Sequence, residues 1–207
     1  MNTDNEEQLK YKKLCELTKG DFKAFLYDCD GTLTDNMQAH KDSYVKVAAN
    51  AGINIDPEII DEFAGLPIPE VVEKINERYN SSFNPAEFEE LKSNLFYDEF
   101  IDKTEPIHFV VNHLKAQAEK FKIAVVSGGS RRVVQKILEV LGIASLVDVL
   151  VCSGETLRGK PFPDPFLYAA EKLDVEPRYC IVFEDAAAGV QGAEAAGMKS
   201  IRIDKIN

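Results

Sequence analysis

Apolar residues follow two rhythms along this chain. Residues 24–27, 123–126, 147–151, 180–183 and 200–203 are short runs, β-branched or aromatic, with little polar alternation. Strands covered on both faces read this way, because neither face meets water. Between these runs the apolar spacing becomes three and four. In RRVVQKILEVLG, Val133, Val134, Ile137, Leu138 and Leu141 form a stripe, and Gly142 suits a C-terminal stop. DPFLYAAEKL repeats the pattern with Phe166, Ala170 and Leu173. The small residues of DAAAGVQGAEAAGM would let a helix pack close to a sheet. Strand alternating with helix predicts an α/β fold with a Rossmann-like parallel sheet core.

Residues 37–105 break the alternation. They hold three helical patterns and no convincing strand: Tyr44-Val47-Ala48-Ala51 closed by Gly52, Val71-Val72-Ile75-Tyr79 begun after Pro69, and Phe88-Leu91-Leu95 begun after Asn84-Pro85. The block is too long for a crossover, so it reads as an inserted α-helical domain. The predicted organisation is an N-terminal extension over 1–20, a core over 21–36 and 106–207, and the helical insert over 37–105. Within the extension, residues 5–19 are charged and space Leu9, Leu14 and Leu17 loosely as a helix or a partly ordered arm, ended by Gly20.

Composition narrows the function. The 207 residues suit one domain, or a core with a smaller insert. The 45% hydrophobic content is enough for a buried core. The formal net charge is −11, with 24 Lys and Arg against 35 Asp and Glu and no basic stripe, so no nucleic-acid partner is expected. A small anionic substrate remains compatible, because a pocket can be positive within an acidic whole. Cys15, Cys29, Cys152 and Cys180 show no zinc-ligand spacing and read as reduced thiols. The first twenty residues lack a signal-peptide core, and no apolar run approaches the ~20 residues of a membrane span. A cytoplasmic protein with no membrane partner is the expectation.

The chemistry lies at the ends of the apolar runs, where ligand sites form in open parallel sheets. Asp28 and Asp30 follow the first run, and Ser127-Gly128-Gly129-Ser130 the second. Lys160 follows the third after CSGETLRG, and Glu184-Asp185 the fourth. Crowded carboxylates repel unless something positive sits among them. A hard divalent ion fits, and Mg²⁺ favours one or two carboxylates, waters and a substrate phosphate. Asp28 and Asp185 are the natural ligands. The Ser127 hydroxyl and the glycine N–H groups, Gly128 included, can bind phosphate at the start of the helix from Arg131. Lys160 adds a positive charge. Asp28 can then attack phosphorus as nucleophile, and Asp30 can serve as general acid and base. Thr32 and Thr34 read as ordering the turn, and His108 and His113 as structural or solvated.

At these residues the chain resembles the haloacid-dehalogenase superfamily. Asp28-Cys29-Asp30-Gly31-Thr32-Leu33-Thr34-Asp35 looks like its DxDGTxxD signature, and Ser127, Lys160 and Glu184-Asp185 fit its second, third and fourth motifs in order. The resemblance covers about residues 22–203 and is nearest the branch with a helical cap after the first motif, which holds β-phosphoglucomutases and sugar-phosphate phosphatases. It implies that Asp28, the backbone carbonyl of Asp30 and Asp185 bind Mg²⁺, with Glu184 in or near the shell, and that Ser127 and Lys160 hold phosphate. It also implies that His40, twelve residues after Asp28, aligns substrate and Asp30 at the hinge, and loosely that Lys92 faces the substrate. The mutases carry an arginine in the first cap loop for a second phosphate. Here Leu66-Pro67-Ile68 occupies that stretch, although Arg131 or Lys92 could compensate. The expected activity is therefore hydrolysis of a small phosphorylated metabolite, a sugar phosphate by resemblance, with a phosphomutase as the alternative. A monomer is expected, since the cap itself covers the site.

Overall fold

In the computed structural model, residues 3–63 and 66–207 are described, the first two of them by backbone alone. Five strands form one parallel sheet: β1 (Ala24–Tyr27), β4 (Lys122–Val126), β5 (Val149–Val151), β6 (Cys180–Glu184) and β7 (Lys199–Arg202), in the order β5-β4-β1-β6-β7. The central strand β1 pairs Phe25 with Ile123 on one side and with Ile181 on the other. Strand β4 leads outward from β1 to β5, and β6 then returns to β1's other edge. The chain therefore reverses direction at β1, and a crevice opens beyond its carboxyl end.

Strand alternation divides the core in two. Phe25 and Tyr27 join Ile123, Val125 and Phe183 on one face, beneath helices α1 (Thr3–Leu17), α6 (His108–Gln117) and α7 (Arg131–Val140). Ala24 and Leu26 join Ala124, Val126 and Val182 on the other, beneath α8 (Asp164–Leu173) and α9 (Ala187–Ala195). Both faces are dry, which accounts for the unbroken apolar runs. The third run begins later than its apolar residues suggest. Residues Ala144–Leu146 form a 3₁₀ turn, and Asp148 bonds back to Ile123 through both its amide and its carboxylate at 2.8 Å, so β5 starts at Val149. The last strand is Lys199–Arg202, one residue earlier than expected at each end.

A two-residue antiparallel pair, β2 (Thr34–Asp35) with β3 (Glu105–Pro106), brackets the helical block. The block contains α2 (Met37–Asn50), the short α3 (Glu58–Glu62), α4 (Ile68–Tyr79) and α5 (Pro85–Glu99), with its own apolar cluster around Val72, Ile75 and Phe88. Asn84 caps α5 by accepting from the amides of Ala86 and Glu87. Arg132 of α7 reaches across to Asn94 of α5 at 3.0 Å and stacks over Tyr97.

The N-terminal segment is a docked helix. Leu14 is fully buried, Lys199 Nζ caps the last turn by donating to the Leu17 carbonyl, and Thr18 meets His113 Nε2 at 3.2 Å. His113 is itself fully buried, with Nδ1 2.8 Å from the Tyr27 hydroxyl. Burial pushes its imidazole down to about 4. Below its unfolded value of 6.5 the unfolded chain binds a proton that the folded chain refuses, so stability is full above that pH and falls as pH drops toward 4. Between pH 7.5 and 4.5 this one group should account for roughly 2–3 kcal/mol of lost stability. Urea titrations at the two pH values should show His113→Gln gaining roughly 2–3 kcal/mol on the wild type between pH 7.5 and 4.5, a difference in which the other titrating groups cancel. An equal loss in both proteins would remove His113 from the account.

Candidate active site

Immediately after β1 the chain turns sharply. The Cys29 carbonyl accepts from the amides of Leu33 at 2.8 Å and Thr34 at 3.1 Å, and Gly31 adopts a φ of 79°. A Cβ at Gly31 would lie 2.3 Å from Asp185 Oδ2, so both the backbone and the space demand glycine. The turn points Asp28 and Asp30 into the crevice. Asp28 is buried, and its Oδ1 accepts from Lys160 Nζ at 2.6 Å. The same ammonium lies 2.5 Å from Glu184 Oε1. Thr32 donates to Asp185 Oδ1 at 3.2 Å.

One oxygen from each of Asp28, Glu184 and Asp185 falls within 4.8 Å of the others. Their proton affinities record the crowding. Burial, then Glu184 and Asp185, push Asp28 well above the usual carboxylate range against the pull of Lys160. Burial and Glu184 push Asp185 up to about 6. Burial opposes the charge on Lys160, yet Asp28 and Glu184 hold it above the ordinary lysine value. Three oxygen ligands this close, two of them reluctant to ionise side by side, form a donor set suited to a hard divalent cation.

Asp30 has a different environment. Burial would raise it, but His40, Asn36 and Lys92 outweigh that and hold it well below the usual range. Asn36 donates to Asp30 Oδ1 at 2.5 Å. His40 Nε2 faces the same oxygen at 3.1 Å, outside hydrogen-bond geometry, and its ring stacks on Phe96 with centroids 4.2 Å apart. Lys92, only 3% exposed, sits against His40 Nδ1 and over the rings of Tyr44 and Phe96. Burial lowers Lys92 to about 8, and burial with Lys92 lowers His40. Lys92 Nζ thus sits on the Nδ1 side of the imidazole and Asp30 on the Nε2 side.

On the next strand end, Ser127 is buried and its Oγ accepts from the Gly129 amide at 3.0 Å. A cavity of about 150 Å³ joins these groups. Asp28, Asp30, Ser127, Gly128, Lys160, Glu184 and Asp185 line it from the sheet, and His40 and Lys92 from the helical block. Arg131 is not among the lining residues. Its guanidinium forks onto Glu155 at 2.5 and 2.8 Å and donates to the Leu150 carbonyl at 2.7 Å, which ties the Ser127 loop to the loop leading to Lys160.

The model for haloacid dehalogenase-like hydrolases matches residues 25–203. The chain belongs to that family. Its relatives include a fructose-1-phosphate phosphatase of Escherichia coli, 28% identical over 88% of this chain and 96% of that one. A β-phosphoglucomutase of Bacillus subtilis is 30% identical over 87% and 83%. Among solved structures, a β-phosphoglucomutase of Clostridium difficile superposes with a TM-score of 0.75 at 29% identity, covering 87% of this chain and 84% of that one.

Two residues of this hydrolase escaped the reading of its sequence. Asn36 gave no signal beyond its nearness to the acids. Gly189 looked like one more small residue on α9, yet a Cβ there would lie 1.8 Å from Glu184 Oε1. Glu184 is 1% exposed and pinned by Lys160 and by the Ala186 amide at 3.1 Å, so it has no easy retreat. Gly189→Ala should lower kcat/KM by roughly 10–100-fold, the scale of a 1 Å displacement in a reactive constellation. Circular dichroism should show an unchanged fold. Wild-type kinetics in that variant would mean that the position of Glu184 does not matter.

Proposed function

We propose that this hydrolase is a magnesium-dependent phosphatase that cleaves small phosphomonoesters through an aspartyl-phosphate (an acyl phosphate) on Asp28. The carrying observation is the convergence of Asp28, Asp30, Ser127, Lys160, Glu184 and Asp185, from four strand ends, on one cavity under the helical block. Asp28 Oδ attacks phosphorus, the bond from phosphorus to the alcohol oxygen breaks, and that oxygen takes a proton from Asp30. In the second half Asp30 removes a proton from water, the water oxygen attacks phosphorus, and phosphate leaves with Asp28 restored. Asp30 is ionised in the free enzyme. An arriving phosphate is a like charge, which raises the carboxyl's proton affinity and favours the acid form needed first. His40, held by Lys92 with its Nε2 toward Asp30, positions that carboxylate. Lys160 offsets the charge between Asp28 and phosphate, while the Ser127 hydroxyl and the Gly128 amide bind the phosphate oxygens. Asp28, the Asp30 carbonyl and Asp185 would hold Mg²⁺, with Glu184 beside it. When bound, the ion supplies charge neutralisation at the transferring group.

The names of several relatives support a phosphorylated sugar as the substrate class. The mutase reading has support from the Bacillus subtilis relative. Against it, the Leu66–Pro67–Ile68 stretch brings no cation, Arg131 is engaged with Glu155, and Lys92 is engaged with His40. The test is a panel of phosphomonoesters, with Mg²⁺ present, scored for released phosphate. Turnover on at least one supports the reading, and none on any overturns it. A sugar 1-phosphate with its bisphosphate primer, isomerising faster than phosphate appears, would favour the mutase. Among the described residues no helix is long and apolar enough to cross a membrane.

A further inference from the structure

The helical side of the cavity is poor in hydrogen-bonding groups. Tyr44, Ile60, Phe63, Leu66, Ile68 and Val71 form its wall. The polar atoms on that side are few, and two are already committed. His40 faces Asp30 and Lys92, and Lys92 is held by His40 and by two aromatic rings. Among the described lining residues that leaves the hydroxyls of Tyr44 and Ser93, with no arginine, asparagine or glutamine. The cations among them are Lys92 and Lys160.

A hexose phosphate brings several hydroxyls into such a space. Each is both donor and acceptor, and a polar group buried without a partner costs about 1–3 kcal/mol. A second phosphate would meet no free cation. A hydrocarbon face, by contrast, gains from the same wall. Resting on the phosphatase reading above, we propose that the preferred substrate is the monophosphate of a small, hydroxyl-poor alcohol. Its deoxygenated face lies against Leu66, Ile68 and their neighbours, and at most one or two polar groups lie beyond the ester.

Matched pairs test this. kcat/KM should favour 2-deoxyribose 5-phosphate over ribose 5-phosphate, and propyl phosphate over glycerol 3-phosphate. The expected preference is roughly 10–100-fold, because an apolar pocket rejects an added hydroxyl only modestly. Fructose 1,6-bisphosphate should rank last. Equal or reversed ratios overturn the substrate class and leave the phosphatase reading standing, since phosphate is still released. Release from none of these esters but from others of the panel overturns this inference alone, and release from no ester of the panel overturns the phosphatase reading with it. The wall itself is tested by Leu66→Gln and Ile68→Asn, each expected to shrink the deoxy preference at least threefold. A ratio of two substrates on one preparation does not depend on how much enzyme is folded. Ratios unmoved in both variants overturn the role of the wall.

Discussion

Asp28→Asn should abolish phosphate release while leaving the chain folded. An amide cannot form the acyl phosphate, so the expected loss in kcat is about 10⁴-fold or more, on the scale seen when a nucleophile is removed. Chelating divalent ions should produce a comparable loss in the wild type, reversed by Mg²⁺. The fold should survive, because the substitution relieves crowding. Asp28 binds its proton more tightly folded than unfolded, and burial is the first cause. Its ionisation above the unfolded value therefore opposes folding at neutral pH. In the absence of metal Asp28→Asn should melt at or above the wild-type temperature. Acid-quenched wild type under turnover should carry phosphate on the peptide with residue 28, and the variant should carry none. Phosphate release persisting in Asp28→Asn would end the covalent mechanism.

Much of the fold could be read from the chain, for a physical reason. Strands dry on both faces must be continuous apolar runs, and Phe25, Leu26, Ile181 and Val182 could hardly be anything else. The polar groups at the strand ends also stood out, because a sheet edge is where acids and a lysine are hardest to explain as packing. What stayed hidden depends on contacts between distant segments. The strand order followed from no local pattern. Arg131 and Glu155, far apart in sequence, meet only once β4 and β5 are side by side, so Arg131 could equally have faced a substrate. His113 read as structural or solvated until α1 and Tyr27 were seen to enclose it. Gly189 matters through a space that exists only when α9 lies over Glu184. Lys92, only loosely aligned as a cap lysine, is buried beside His40, which a helical stripe cannot reveal.

Lys160→Met should destabilise the metal-free protein as well as impair it. Lys160 Nζ is the cation within 2.6 Å of Asp28 and 2.5 Å of Glu184, and its side chain is 8% exposed. Removing one partner from such a buried cluster leaves carboxylates without compensation, which typically costs 3–5 kcal/mol, so about that loss is expected at pH 8. Met keeps an unbranched apolar stem of similar length, so the loss is mainly that of the charge, including its place 5.5 Å over the Phe166 ring. The pH dependence separates charge from packing. Asp28 and Asp185 already have raised folded-state values, Asp185 at about 6, and losing the ammonium raises them further. Acids raised in the folded state favour folding as they take up protons, so the deficit should shrink as pH falls from 8 to 5. Added Mg²⁺ should narrow it too, because a cation among the same oxygens replaces the missing charge. Activity should fall by roughly 10²–10³-fold even with Mg²⁺, the scale of losing one preorganised donor at a developing charge. A stability deficit constant from pH 8 to pH 5 and indifferent to Mg²⁺ would mean that the lysine is held by packing alone. The carboxylates could then sit together without a positive charge, and the case for a metal among them would lose its physical basis.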